Sequence, residues 1–217
     1  MSTPSRDLTT TSYAILGLLA IRQWSTYELA QQMRRNFHFF WPRAESNLYA
    51  EPKRLISGGW ARAESKAVGQ RRRTVYAITA KGRRALENWL RQPAAPARFE
   101  AEPIVKFAFA SNSTKEHMLN NLRRFRDDAE TRQKQLRAIF DEYLREEDPF
   151  PERVHINVVA YRLLWDQAQT EANWADWALD QTKRWPNTNG PQARSTFMRI
   201  LKERLDTSTR TVASPEH

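Results

Sequence analysis

The chain contains no cysteine. Disulfides, thiol nucleophiles and cysteine-based zinc fingers are therefore excluded. Glycine is scarce, with 6 in 217 residues, and no Gly-rich phosphate loop is present, which argues against a nucleotide-using enzyme. The 4 histidines, His38, His117, His155 and His217, show neither HExxH spacing nor a neighbouring nucleophile motif. The expectation is a protein that is not an enzyme and needs neither cofactor nor metal. No apolar run reaches the length of a membrane span. Residues 1–11 also lack the apolar core of a secretion signal, so a cytoplasmic protein without a membrane partner is expected.

Positive charge is abundant and unevenly placed. The chain has 35 Lys and Arg against 25 Asp and Glu, a net charge of +10. Residues 1–92 hold 16 basic and 6 acidic side chains, and residues 93–217 hold 19 of each. The whole excess therefore lies in the first part. Such asymmetry predicts one part that meets a polyanion and another with a different task. Hydrophobic residues make up 40% of the chain, enough for a core. A mean hydropathy of −0.77 fits long charged helices.

Four helices and a hairpin are predicted in the first part. Thr10 or Thr11 caps a helix that is apolar on nearly every face. Ser25 and Glu28 form a capping box that opens a second helix running to about Phe37. After Phe39-Phe40-Trp41-Pro42 comes a third helix, residues 45–57, stopped by Gly58-Gly59, with Pro52 inside it as a kink or a shifted start. Residues 60–64 and 74–78 alternate as strands, joined by a basic tip that contains Arg71, Arg72 and Arg73. Thr79 caps a fourth helix, residues 80–91, before a Pro-Ala linker.

The second part reads as helical. Residues 103–110 form a short apolar segment. A capping box at 113–116 starts a long amphipathic helix, ended by Pro149 and Pro151. A second long helix spans about 152–184 and a last one 192–205. The fold class is mainly α: a winged helix-turn-helix in residues 1–92, a helical domain in 93–206, and a disordered tail in 207–217. The long amphipathic stripes predict a symmetric homodimer, because a short chain has little with which to cover them.

Several segments carry a family resemblance. They are Ile15-Leu16-Gly17-Leu18-Leu19, Ser25-Thr26-Tyr27-Glu28-Leu29, Asn47-Leu48-Tyr49-Ala50-Glu51-Pro52-Lys53-Arg54-Leu55, Gly59-Trp60, and Arg73-Thr74-Val75-Tyr76-Ala77-Ile78-Thr79-Ala80-Lys81-Gly82. As a set, over residues 12–90, they resemble the PadR family of transcriptional regulators. The resemblance implies a third helix in the major groove of an operator, a wing along the DNA backbone, and last helices that pair two subunits. It also implies a repressor, and release of DNA by a small aromatic or cationic effector.

Candidate DNA-binding residues follow. Asn47, Tyr49, Lys53 and Arg54 lie on the groove side of the third helix. Asn suits adenine, and Arg and Lys suit guanine or phosphate. Ser46 is either a contact or only a cap. Arg71, Arg72 and Arg73, a triple of one sign with no acid beside it in sequence, suit phosphate or the minor groove. Tyr27 is a phosphate contact or a core residue. Trp165, Trp174 and Trp177 are candidates for an effector site, with packing as the plainer reading. Asp127-Asp128 and Glu146-Glu147-Asp148 read as solvated surface. One alternative stays open at this point: a winged helix that serves as a protein-interaction adaptor without sequence-specific DNA binding.

Overall fold

The computed structural model describes residues 8–37, 39, 41, 50–68, 71–188, 197–199, 201–202 and 204–205, with backbone alone at 36, 66–68 and 71–72. The predicted tail after 206 and the first half of the predicted third helix lie outside the described residues. Packing divides the chain into two units, residues 1–98 and 99–217.

The first unit is built around α1 (Thr10–Ile21). Its cap is Thr9 rather than Thr10 or Thr11. Thr9 and Ser12 exchange side-chain and backbone hydrogen bonds in a capping box that satisfies donors left over at the helix start. Ile15, Leu16, Leu18 and Leu19 are buried, as expected of a helix apolar on most faces. The short strand β1 (Trp24–Ser25), which has no counterpart in the sequence pattern, leads into α2 (Thr26–Gln32) and a π-helical turn at Met33–Phe37. Ser25 caps α2 with Glu28 as its partner, as predicted. Trp24 is fully buried and donates its ring N–H to the Leu18 carbonyl at 2.7 Å.

Helix α3 (Glu51–Ser57) begins at Glu51, so Pro52 is its second residue and not an interior kink. A proline there loses nothing, because the first-turn N–H groups have no helical partner. Strands β2 (Ala61–Val68) and β3 (Arg71–Ile78) pair antiparallel, and β1 pairs with the other edge of β3. The hairpin is longer than the sequence pattern indicated. Arg71, Arg72 and Arg73 stand in β3, opposite Val68, Ala67 and Lys66, instead of in the tip. Charged residues hide a strand from a hydrophobic-alternation reading, and the ladder of a two-stranded wing runs on past its apolar part.

Helix α4 (Ala80–Leu90) closes the unit. Its start is tied to the wing entry by three groups. Gly59 takes φ +73°, a left-handed conformation that favours glycine. Thr79 donates to the carbonyls of Gly59 at 2.7 Å and Trp60 at 3.1 Å while accepting from the Gly82 N–H. A side chain at Gly82 would put its Cβ 2.1 Å from the Trp60 carbonyl oxygen, so only glycine fits.

The second unit begins with α5 (Glu102–Ala108) and a 3-10 turn at Ala110–Asn112. Then come α6 (Lys115–Leu144), a 3-10 turn at Pro151–Arg153, and α7 (Val154–Lys183). Thr114, in the second position of the predicted box, is the cap of α6. The two long helices lie antiparallel, as their cross-pairs show: Tyr143 with Tyr161, Arg132 with Glu171, Arg126 with Asp176, and Lys115 with the Lys183 carbonyl. Leu122, Phe125, Ala129 and Leu136 of α6 are buried, together with Ala168, Ala172, Ala175 and Ala178 of α7. Alanines on one helix face let the axes approach and bury a stripe inside a single chain. The expectation that both stripes need a second subunit is corrected to that extent. Apolar side chains stay exposed on both helices: Leu144 of α6 at 82%, Val158 and Trp177 of α7, and a row on α7 of Ile156, Val159 at 74% and Leu163 at 70%. Residues 197–199, 201–202 and 204–205 are helical, inside the predicted last helix.

Candidate nucleic-acid interface

The sequence-predicted contacts sort into three groups. Ser46, Asn47 and Tyr49 lie outside the described residues. Arg71 and Arg72 have their backbones in β3. Tyr27, Lys53, Arg54 and Arg73 have described side chains, which do different things.

Tyr27 sits in the first turn of α2 and is 67% exposed, which removes the core alternative. Lys53 is also exposed, in the first turn of α3. Arg54 turns inward. Its Nη2 donates to Glu51 Oε1 and to Ser12 Oγ, each at 2.6 Å, and its Nε donates to Glu51 Oε2 at 3.1 Å. Ser12 Oγ in turn donates to Glu51. Glu51 is buried, and burial by itself would raise its pKa. The hydrogen bonds from Arg54 and Ser12 and the charge of Arg54 outweigh that and hold the carboxyl below its ordinary value. The result is a bidentate pair with a serine wedge, fastening the first turn of α3 to α1.

Arg73 is likewise engaged. It pairs with Glu28 at 3.2 Å and donates to Ser25 Oγ, so the wing is fixed to the cap of α2. The arginine triple has an acid beside it after all, supplied from far back in the sequence by the pairing of β1 with β3. Burial pushes the Glu28 carboxyl up, but Ser25 hydrogen bonds and the charges of Arg73 and Arg22 leave it lowered. Thr26 also donates to the Tyr76 hydroxyl at 3.2 Å, a second tie between α2 and β3.

Each described acid of the first unit thus holds one arginine: Glu28 with Arg73, Glu51 with Arg54, Glu64 with Arg62, and Glu87 with Arg91. The basic excess is left on other side chains. Arg34 and Lys53, both exposed, make no ion pair among the described residues. From sequence, Arg34 and Arg35 near the end of the second helix suit the helix dipole or a phosphate. The position at the end of a capped helix was the available signal. No helix is long and apolar enough to cross a membrane among the described residues, and no group of side chains there could hold a metal ion.

Residues 15–88 match the family described as Transcriptional regulator PadR-like family. That match lies within the first unit. Residues 101–183 match a second family, Virulence activator alpha C-term. The chain is 32% identical over 87 residues to a probable transcriptional regulator of Mycobacterium tuberculosis; that match spans 40% of this chain and 46% of the relative, less than half its length. It is 25% identical over 174 residues to the negative transcriptional regulator PadR of Bacillus subtilis, covering 76% of this chain and 91% of that one. Crystal structures of Bacillus subtilis PadR with operator DNA and with p-coumaric acid share the fold, at TM-scores of 0.67 and 0.64 and identities of 19% and 20%. They cover 80% and 81% of this chain, and 99% and 100% of their own. The Vibrio cholerae virulence activator AphA shares it at 0.62 and 21%, covering 80% and 98%. The family and these relatives are transcriptional regulators and not enzymes.

Proposed function

We propose that this PadR-like regulator is a homodimeric, operator-binding repressor that a small aromatic or cationic effector releases from DNA. The carrying observation is the charge of the first unit. Its described acids are each matched to an arginine, and the remaining cations lie on a winged helix whose α3 and wing are both braced from behind. Cations not neutralised within the protein are available to displace counterions from a polyphosphate. The braces, Glu51–Arg54–Ser12 and Glu28–Arg73–Ser25, hold α3 and β3 in fixed register, as base reading requires.

On this reading α3 enters the major groove with Lys53, and Ser46, Asn47 and Tyr49, which precede it in sequence, meet the bases or phosphates. Arg71 and Arg72 follow the backbone from the wing, and Tyr27 meets a phosphate. Arg54 and Arg73 act mainly as braces. The exposed row Ile156, Val159 and Leu163 supplies the subunit contact. The negative regulator from Bacillus subtilis supports repression. The match of residues 101–183 to an activator's C-terminal family favours a second reading, activation from the same DNA-bound dimer.

The test is selection of bound sequences from random duplexes, then protection mapping of the winner over a salt series. A defined, two-fold symmetric footprint with a steep salt dependence is the expected result. Binding that never rises above the random-duplex level overturns the operator reading and leaves the adaptor alternative. A reporter driven by a promoter that carries the winning site separates repression from activation.

A further inference from the structure

Of the tryptophans singled out from sequence, Trp165 packs on Phe140, and Trp174 and Trp177 line an apolar cavity in the second unit with Phe107 and Trp185. Trp60 has a more particular seat, at the end of α3. That helix closes on a Schellman motif: the Gly59 N–H donates to the Ile56 carbonyl and the Trp60 N–H to the Leu55 carbonyl, each at 2.9 Å. The Trp60 ring lies over Gly58, where a Cβ would run into it. Gly58 has ordinary right-handed dihedrals, φ −82° and ψ −4°, so its backbone does not call for glycine. The ring does.

Lys81, in the first turn of α4, closes over this arrangement. Its ammonium donates to the Gly58 carbonyl at 2.8 Å and stands 4.7 Å from the centre of the Trp60 ring. Both contacts suit a cation. The carbonyl belongs to the negative end of α3, and the ring face is electron-rich. Thr79 and Gly82 seat the start of α4 on the backbone of Gly59 and Trp60, so the lysine is offered from a fixed base.

We infer that Lys81 is a positioning residue: with Trp60 and Gly58 it latches the C-terminal end of α3 to α4, and so sets the pose in which α3 meets DNA. The reasoning is mechanical. α3 has 7 residues, about two turns. Its front end is fastened to α1 by Glu51, Arg54 and Ser12. A rod this short, held at one end, tilts about that end; held at both, it keeps one pose. Hydrogen bonds to base edges tolerate little misalignment. Attraction to phosphate reaches over a screening length of about 8 Å and is little changed by a tilt. A loosened latch therefore costs operator affinity and spares non-specific binding. Lys81 is thus a cation of the basic unit that serves the pose of α3 and not a phosphate. The consequence for DNA rests on the operator reading; the latch does not.

The test uses the full-length protein with Lys81→Met, which keeps the length of the side chain without its charge, Lys81→Arg, which restores a donating cation, and Gly58→Ala, which unseats the ring. Each is titrated with the selected operator and with random duplex over a salt series. Hydrogen exchange of the Gly59 and Trp60 amides is followed in the free protein, and thermal melting checks folding. Lys81→Met should weaken operator binding about fivefold, the combined effect of a helix-end cation and an exposed cation–π contact. Random-duplex affinity and the salt slope should stay at the wild-type values, and the two amides should exchange faster. Lys81→Arg should restore both readouts. Gly58→Ala should repeat the Lys81→Met pattern more strongly. Equal weakening on both duplexes with a salt slope lower by about one unit would make Lys81 a phosphate contact and overturn the proposal. A lower melting temperature with an unchanged operator-to-random ratio would reduce the lysine to general stability and overturn it as well. So would an arginine variant no better than the methionine one. A wild type that does not prefer the operator fails the operator reading alone, and the amide exchange rates then decide the latch; unchanged exchange in Lys81→Met overturns it whatever the DNA result.

Discussion

The two parts of the chain, residues 1–92 and 93–217, hold similar numbers of positive charges and use them in opposite ways. In residues 93–217, 19 cations face 19 acids. Many are paired along or across the long helices, as in Arg137–Asp141, Arg162–Asp166, Arg126–Asp176 and Arg132–Glu171. Such pairs add little each when exposed, and they cancel the field of the unit. In residues 1–92, 16 cations face 6 acids, and the described acids are used where two elements must be held together or a strand or helix end steadied. Position within the pairing network therefore says more about function than the count of basic residues. It divides Arg54 and Arg73, which brace, from Lys53 and Arg34, which face solvent.

The largest effect should come from removing what the second unit is proposed to supply. The wild type should sediment at about twice 25.5 kDa. Val159→Glu with Leu163→Glu places two charges on the exposed row of α7 without disturbing the buried face of the helix pair. The variant should sediment as a monomer and lose about a hundredfold or more in operator affinity, because two linked half-site contacts become one. A variant that remains dimeric moves the subunit contact away from this row.

Next is the brace behind α3. Glu51→Ala removes the carboxylate that pairs with the Arg54 guanidinium and accepts from the fully buried Ser12 hydroxyl, and should cost about 3 kcal/mol of stability in denaturant unfolding. The pH dependence has a definite sign. The folded pKa of Glu51 lies below the ordinary glutamate value of 4.5, so its contribution is complete above that pH and fades as pH falls through the lower folded value. Glu51→Gln should flatten the acid limb of the melting curve and change little at neutral pH beyond a uniform drop. An unchanged acid limb would assign the acid sensitivity to Glu28, whose pKa is lowered as well.

Much of this unit was legible in the sequence for local reasons. Ser25 and Glu28, Thr79, and the Gly58-Gly59 stop act over three or four residues, and caps and turns are written at that range. What escaped was made by distant pairing. Strand β1 is two residues long and exists only because β3 lies beside it. The partners of Arg73 and Arg54, Ser25 with Glu28 and Ser12 with Glu51, are in part tens of positions away, and no spacing rule reaches them. The stripes of α6 and α7 were legible as apolar. Ala168 belongs to that stripe, but Ala172, Ala175 and Ala178, buried with it, carry too weak a signal to be read.

The wing provides the middle-sized effect. Arg71→Ala with Arg72→Ala should weaken operator and random duplex alike, by about tenfold at moderate salt, and lower the salt slope by about one unit for each phosphate no longer neutralised. Arg73→Ala should move the salt slope less and the melting temperature more, because this arginine is paired with Glu28 at the cap of α2. Equal slope changes for Arg73 and Arg71 would show that the brace opens on DNA.

The finest test sets a base contact at Asn47 against a phosphate contact at Lys53. Asn47→Ala should cost about 1–3 kcal/mol on the selected operator and far less on random duplex, since an amide paired to adenine carries sequence information. Lys53→Ala should show the smallest effect of all, a few-fold weakening on both duplexes. The reason is positional. Lys53 is exposed in the first turn of α3, and with Pro52 as the second residue of that helix no kink intervenes to turn it aside. Its neighbour Arg54 is held inward by Glu51, so at this turn Lys53 is the cation left to meet the backbone. Paired titrations on the two duplexes decide the roles. A weakening at Lys53 confined to the operator would make it a base reader. A weakening at Asn47 shared equally by both duplexes would make the asparagine a backbone contact and move base reading to Tyr49 or Ser46.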